Sequence, residues 1–192
     1  NNNSLTVTGT ATANGGAKVK NVEYRVDAGP WTPASASDGS FNSASELFTF
    51  IPDSLSEGNH LFETRATDSL DTIQTEIISL NLTVDKTIPA VSADNASTSW
   101  RTANITITLS ASDSGGSNLN NARYNWNSVA TASVGTTFTN GATINIPLEG
   151  DHILYLYADD NAGNSSTSSG SYKLDTSDPS VSVTGSSISW QS

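Results

Sequence analysis

Residues 57–62 read Glu57-Gly58-Asn59-His60-Leu61-Phe62, and 92 positions later the chain reads Glu149-Gly150-Asp151-His152-Ile153-Leu154. A second match, from Val84-Asp85-Lys86 with Pro89 to Leu174-Asp175-Thr176 with Pro179, is offset by 90 positions. A period of about 90 residues is the size of one small β-sandwich domain. The 192-residue chain is therefore predicted to hold one domain over 1–87, a second over 88–178, and the start of a third copy over 179–192.

Apolar residues alternate with small polar residues along most of the chain, as in residues 5–11 and 105–111. This period of two is typical of strands with one buried face, and no segment shows a capped helical period. We expect an all-β fold of two antiparallel sandwiches, with an orphan opening strand of a third repeat in 179–192. The predicted strands cover 4–13, 19–29, 46–51, 59–68, 76–85, 89–94, 104–112, 121–127, 141–147, 152–160 and 170–175.

Composition excludes several classes of function. The chain has no cysteine, so disulfides, thiolate metal sites and cysteine nucleophiles are excluded. Eight basic and nineteen acidic residues give a net charge of −11, which opposes binding to nucleic acid. Because no run of 18 apolar residues occurs, we expect no direct insertion into a membrane.

Two stretches resemble a known class of protein. The turn Asp159-Asp160-Asn161-Ala162-Gly163-Asn164-Ser165, with the following strand and Pro179, is similar to the ending of bacterial Ig-like repeats. Residues 24–27 with Trp31 resemble the front half of the same group. The resemblance implies tandem Ig-like, fibronectin-III-like sandwiches in the stalks and adhesive arms of extracellular or cell-surface bacterial proteins.

The two histidines, His60 and His152, occupy equivalent positions in the two repeats. A catalytic triad needs one histidine beside a nucleophile and an acidic residue. A residue that both repeats share is typical of a structural role, so we expect no enzyme and no catalytic residue.

Four carboxylates are candidate calcium ligands: Asp85, Asp113, Asp159 and Asp160. In an Ig-like domain, the loops that carry the last three would lie at the end that receives the linker with Asp85. Calcium binds six to eight oxygen atoms, several of them from carboxylates. The alternative is that these residues only form turns by hydrogen-bonding their own backbone.

Tyr155 and Tyr157 are candidate ligand-facing aromatics. If Leu154 and Leu156 face the core, the two tyrosines face outward on the same strand, where they could contact a polysaccharide or a host-surface ligand. Packing between neighbouring strands explains outward tyrosines equally well. On the core face, Trp126 is predicted to be the large buried aromatic.

The leading functional hypothesis is a non-catalytic structural or adhesive module whose tandem repeats form a rigid stalk. Its partners would be neighbouring Ig-like repeats or other copies of itself. One alternative is a filament subunit. The first domain lacks a counterpart of the opening strand at 89–95, and the spare segment could supply one through Val181, Val183 and Ile188. The alternative explanation, which we favour, is that the chain was cut from a longer array whose upstream strand is not part of the given sequence. A second alternative is a carbohydrate-binding accessory module of an exoenzyme.

Overall fold

The computed structural model describes residues 5–185, and its regular secondary structure there consists of β-strands. The first compact unit contains the chain up to Thr87 together with the segments Ser114–Asn118 and Asn161–Asn164. The second contains Ile88–Asp113, Leu119–Asp160 and the chain from Ser165 onward. Over residues 5–185, no helix is present that could cross a lipid bilayer.

Within its described residues, 5–87 and the two short added segments, the first unit is built from seven strands in two antiparallel sheets. Their order is β1-β5-β4 in one sheet and β3-β2-β6-β7 in the other. The strands are β1 (Val7–Thr12), β2 (Val19–Val26), β3 (Thr32–Pro33), β4 (Ser35–Ala36), β5 (Ser45–Phe50), β6 (Gly58–Asp68) and β7 (Ile78–Val84).

Aromatic side chains fill the space between these two sheets. Phe48 and Phe50 project from β5, and Val22 and Phe62 project from the opposite sheet into the same cluster. The ring of Tyr24 stacks on that of Phe50 with 3.9 Å between centroids. Side chains from both sheets thus bury one another, which makes the unit a sandwich.

As far as residue 185, the second unit has eight strands, also in two sheets. Their order is β8-β10-β13 and β12-β11-β14-β15-β9. The strands are β8 (Ala90–Ala93), β9 (Trp100–Arg101), β10 (Thr106–Ser112), β11 (Leu119–Trp126), β12 (Thr136–Thr137), β13 (Thr143–Asn145), β14 (Gly150–Asp160) and β15 (Ser165–Leu174). Every pairing is antiparallel except that of β9 with β15, which is parallel.

The core of the second unit lies between β10 and the β14–β15 hairpin. Leu154, Leu156 and Tyr172 are almost completely buried against Ile107 and Leu109. The hydroxyl of Tyr172 donates a 2.6 Å hydrogen bond to the carbonyl of Asp94, and burial raises the pKa of this tyrosine to about 12.

Trp126 differs from its predicted role as the buried central aromatic. It is half-buried at the edge of the core, with its ring packed edge-on against Tyr172 and His152. Tyr172 is the fully buried aromatic instead, because it lies on β15 between β14 and β9 rather than at the end of a strand.

The repeat in the sequence is also a repeat in the structure. The equivalent strands β2 and β11 each carry a bulge near their start, after Val19 in β2 and after Leu119 in β11. Gly58 and Gly150 open the equivalent strands β6 and β14 with φ near 120° and 128°, a conformation that favours glycine. The strand order is that of Ig-like sandwiches.

The predicted all-β fold of antiparallel sandwiches is confirmed. The periodicity did not reveal the two-residue strands β3, β4, β9 and β12, because two residues are too few to show alternation. The described part of the predicted opening strand, residues 179–185, forms no strand. A strand needs a hydrogen-bonded neighbour, and this segment pairs with none among the described residues.

The face assignment of β14 gives a first prediction. Leu154→Ala should destabilise the second unit by about 2–5 kcal/mol, because it empties a completely buried site. The matched control is Ile153→Ala on the opposite face of the same strand, where the side chain is 39% exposed. It should cost below about 1 kcal/mol. Guanidinium unfolding followed by tryptophan fluorescence measures both, and equal losses would show that the faces are reversed.

Candidate functional site

His60 is held at the start of β6 by two hydrogen-bond acceptors. Its Nε2 lies 3.0 Å from the carbonyl oxygen of Ser56, and its Nδ1 lies 2.7 Å from a carboxylate oxygen of Asp27. The other carboxylate oxygen of Asp27 accepts the backbone N–H of Leu61 at 2.8 Å. Nε2 also lies 3.4 Å from the hydroxyl of Ser56. When both ring nitrogens carry a proton, His60 donates to the Ser56 carbonyl and to the Asp27 carboxylate, and the pair is an ion pair.

His152 sits in the same arrangement in the second unit, with an amide in place of the carboxylate. Its Nε2 lies 3.0 Å from the carbonyl of Leu148, and its Nδ1 lies 2.9 Å from the side-chain nitrogen of Asn127. The side-chain oxygen of Asn127 accepts the N–H of Ile153 at 2.9 Å. An amide N–H can only donate, so Nδ1 of His152 accepts this hydrogen bond.

The carboxylate changes the titration of the first histidine. The hydrogen bond that His60 donates to Asp27, and secondly the one that it donates to the Ser56 carbonyl, raise the pKa of His60 above its usual range. The same bond from His60, and secondly the N–H of Leu61, lower the pKa of Asp27. A raised histidine pKa stabilises the fold below pH 6.5 and loses that contribution as the pH rises through the raised value.

We therefore expect the first unit to be less stable at about pH 8 than at about pH 5.5, where the ion pair is intact. Asp27→Asn should remove this difference while keeping the fold, because Asn127 already occupies the equivalent turn with the same positive φ. Urea unfolding of both proteins at the two pH values measures the effect. A pH dependence that survives in the variant would assign it to other groups.

The candidate ligand Asp85 forms a turn at the end of β7. One of its carboxylate oxygens accepts the N–H of Thr87 at 2.9 Å. Asp175, the equivalent residue of the second repeat, accepts the N–H of Ser177 at 3.1 Å in the same way. The other oxygen of Asp85 accepts the N–H of Ser117, at 2.7 Å within the first unit. Interactions with the side chain and then the backbone of Ser117 lower the pKa of Asp85.

The other three candidate calcium ligands belong to the second unit. Asp113 and Asp160 have carboxylate oxygens within 4.8 Å of each other, and Asp160 is buried. Asp159 is turned to the sheet face, where its two oxygens accept hydrogen bonds from Asn120 and from the hydroxyl of Tyr157, each at 3.1 Å. The carboxylates of Asp113 and Asp160 therefore lie close together. The carboxylate of Asp159 is hydrogen-bonded on the outer face of the sheet instead.

Calcium binding stays a prediction, and thermal unfolding tests it. If an ion bridges Asp113 and Asp160, millimolar calcium should raise the melting temperature by mass action and EDTA should lower it. Asp113→Asn should remove the calcium response, whereas Asp159→Asn should preserve it, since Asp159 is bound to Asn120 and Tyr157. A melting temperature that is the same in calcium and EDTA would leave these residues with their structural roles alone.

Tyr155 and Tyr157 lie on the outer face of β14, each half-buried. Burial, and secondly the hydrogen bond to Asp159, raise the pKa of Tyr157. Beside Tyr155, a shallow depression is lined by Ile153, Lys173 and the turn residue Asn127. Tyr157 is therefore hydrogen-bonded within its own sheet, whereas Tyr155 borders this depression.

Sequence reasoning missed one surface cluster. The guanidinium groups of Arg25 and Arg65 both lie over the ring of Trp31, at 4.6 and 4.2 Å from its centroid. Their charges are balanced by Glu63 and Glu23 on the paired strands β2 and β6, each at 2.8 Å. The alternation of Glu23 and Arg25 on β2 indicates a charged strand face. Only the register of β2 with β6 shows which opposite charges lie side by side.

The candidate strand-donor residues lie after the last strand of the second unit. Val181 is 93% exposed and Val183 is 87% exposed. Ile188 lies outside the described residues. Two apolar side chains that stand open to solvent in a short unpaired segment are available for burial against another surface.

Comparisons with known proteins add a structural likeness. No protein-family model matches the chain, and no curated protein matches it. Among solved structures, the chain is similar to the fibronectin(III)-like modules of Clostridium thermocellum CbhA. The identity is 14%, the likeness covers 94% of this chain and 92% of that chain, and the TM-score is 0.38. The fold assignment therefore rests on the strand order and cores of the two units.

Proposed function

We propose that this chain is a non-catalytic structural or adhesive module of a bacterial extracellular or surface protein, with its tandem sandwich units serving as a rigid stalk. One observation carries the proposal: both histidines are bound in the same way in the two repeats. Each histidine fastens the loop before its strand to the turn of the neighbouring hairpin. Residues that could act as catalytic bases are thereby used to hold loops.

The glutamates that immediately precede β6 and β14 support the same function. The hydroxyl of Thr87 donates to Glu57 at 2.7 Å, and the hydroxyl of Ser177 donates to Glu149 at 2.7 Å. The hydroxyl of Thr176, followed by that of Ser177, lowers the pKa of Glu149. Each repeat thus fastens the chain where it leaves the last strand. A stalk of consecutive domains requires that the segment leaving each domain has a fixed direction.

Rigidity can be measured with two spin labels, because the chain has no cysteine of its own. Ser37→Cys and Ser133→Cys place one label on an exposed loop of each unit. A rigid stalk should give one narrow distance distribution by pulsed electron paramagnetic resonance. Single-label samples and unchanged melting temperatures are the controls. A broad distribution would show that the units move independently and would contradict the stalk.

Polysaccharide binding is the weaker functional candidate. It is supported by the depression beside Tyr155, where an aromatic ring lies next to the amide of Asn127 and the ammonium of Lys173. Lys173 is partly engaged, since it pairs with Asp151 at 2.7 Å. Binding to a host-surface or polysaccharide ligand at this face stays a prediction.

A further inference from the structure

The sequence contains two Asn-Gly pairs, Asn14-Gly15 and Asn140-Gly141. In such a pair the backbone nitrogen of the glycine can attack the side-chain carbonyl carbon of the asparagine, because glycine has no Cβ to obstruct the approach. Both pairs lie in turns, the first after β1 and the second before β13. The two turns hold these reacting groups in different ways.

In the second unit both reacting groups are hydrogen-bonded. The N–H of Gly141 donates to the carbonyl of Leu109 at 2.9 Å, and the side-chain oxygen of Asn140 accepts the N–H of Ala111 at 3.1 Å. Leu109 and Ala111 belong to β10 and are buried, so both bonds fasten the turn to a core strand. The nitrogen of Gly141 reaches the side-chain carbon of Asn140 only after these bonds break.

In the first unit the reacting groups are not held in this way. Within residues 5–185, the side chain of Asn14 and the N–H of Gly15 form no hydrogen bond. The turn is closed instead by the N–H of Ala17, which donates to the backbone carbonyl of Asn14 at 3.3 Å. Gly15 and Gly16 have φ of 68° and 85°, and a methyl group at either position would meet no atom within 4 Å. The backbone at Gly15 therefore has open space in which to rotate.

Solvent exposure alone predicts the opposite order of reactivity. Asn140 is exposed, whereas Asn14 is half-buried. The first bond, however, forms between two groups of the same chain segment, so contact with water does not limit this step. The freedom of the glycine nitrogen limits it, and that freedom is greater at Gly15.

We propose that Asn14 is a site of spontaneous covalent modification, at which the turn of residues 14–17 passes through a succinimide to aspartate or isoaspartate. The N–H of Gly15 gives its proton to the solvent, and the nitrogen bonds to the side-chain carbonyl carbon of Asn14. The bond from that carbon to the amide nitrogen breaks, and this nitrogen takes up a proton and leaves as ammonia. Water then opens the ring and leaves a carboxylic acid. Overall the reaction consumes water, releases ammonia and transfers no electrons.

The product depends on which ring carbonyl the water attacks. Attack at the side-chain carbonyl carbon of Asn14 leaves the backbone unchanged. Attack at its backbone carbonyl carbon gives isoaspartate, in which the chain runs through the former side chain and is longer by one carbon atom. That carbonyl is the acceptor for Ala17, whose side chain is buried. Isoaspartate therefore displaces the acceptor that closes the turn, and both products add a negative charge to a chain of net charge −11.

The reaction goes beyond a stalk function, which does not require it, and the test uses the intact folded chain. The chain is incubated in mildly alkaline buffer, and peptide mass spectrometry with fragmentation assigns the gain in mass to a position. Asn14 should convert about tenfold or more faster than Asn140, because two hydrogen bonds must break before Gly141 can react. Equal rates in the folded chain, or a faster conversion of Asn140, would overturn the proposal.

The same incubation in concentrated urea is the matched control. Unfolding removes the hydrogen bonds of Gly141 and Asn140, so the two pairs should then react at rates within about threefold of each other. Circular dichroism confirms that the chain is unfolded. If Asn14 converts in urea but stays intact in the folded chain, the fold protects this turn as well and the proposal fails. It also fails if the tenfold difference persists in urea, since neighbouring residues and not the fold would then set the rates.

A variant and an enzymatic label complete the experiment. An isoaspartyl methyltransferase should label the aged folded chain in the peptide that contains position 14. Asn14→Gln should abolish this label, because attack on the longer side chain must close a less favourable, larger ring. The variant should keep the melting temperature of the unmodified chain, since within residues 5–185 the side chain of Asn14 forms no hydrogen bond. A label of equal strength in Asn14→Gln would assign the isoaspartate to another site and would contradict the proposal.

Discussion

Strand pairing at sheet edges is the constraint on which the rest of this structure depends. An interior strand of a sandwich buries one face and forms hydrogen bonds along both of its edges, and β10 does so between β8 and β13. Its residues Ile107 and Leu109 are completely buried as a result. The equivalent residues of β1, Val7 and Gly9, are only half-buried, because β5 is its one neighbour among the described residues. The difference between the two cores thus follows from one pairing.

The two units also show how little sequence change is needed to alter the electrostatics of a conserved geometry. Asp27 and Asn127 occupy the same turn, with φ of 51° and 57°, and each accepts a backbone N–H from the following strand. The ring nitrogen of His60 faces a carboxylate, which raises the pKa of this histidine, and the same ring nitrogen of His152 faces an amide N–H. One side-chain atom therefore decides whether this ring nitrogen meets a hydrogen-bond acceptor or a donor.

Much of the fold could be predicted from the sequence, because alternation and repetition are local signals. The faces of β14 are an example: Leu154 and Leu156 are buried and Tyr155 lies outside. The extent of burial could not be predicted, since Trp126 and Tyr172 share a face and only their places in the sheet separate them. The same limit applies to the candidate site. His60 and Asp27 are 33 residues apart, and strand register alone brings them together.

The acidic cluster illustrates this limit further. Asp159 and Asp160 are neighbours in the sequence, so reasoning from loops grouped them as ligands of one ion. In a strand, however, adjacent side chains point to opposite faces. β14 extends through Asp160, and the two carboxylates separate accordingly: Asp160 is buried, and Asp159 bonds to Tyr157 on the outer face. The position of a strand end therefore decides which carboxylates can meet.

The parallel pairing of β9 with β15 has a mechanical consequence. Trp100 and Arg101, near the start of the second unit, lie beside Lys173 and Leu174 at the end of its last strand. Tension on the two ends of this unit would pull the paired strands in opposite directions along their own axes. The hydrogen bonds between them would then be loaded in shear and share the force, rather than opening one after another as in a peeled hairpin. The last bonds of the unit are thus placed to resist extension.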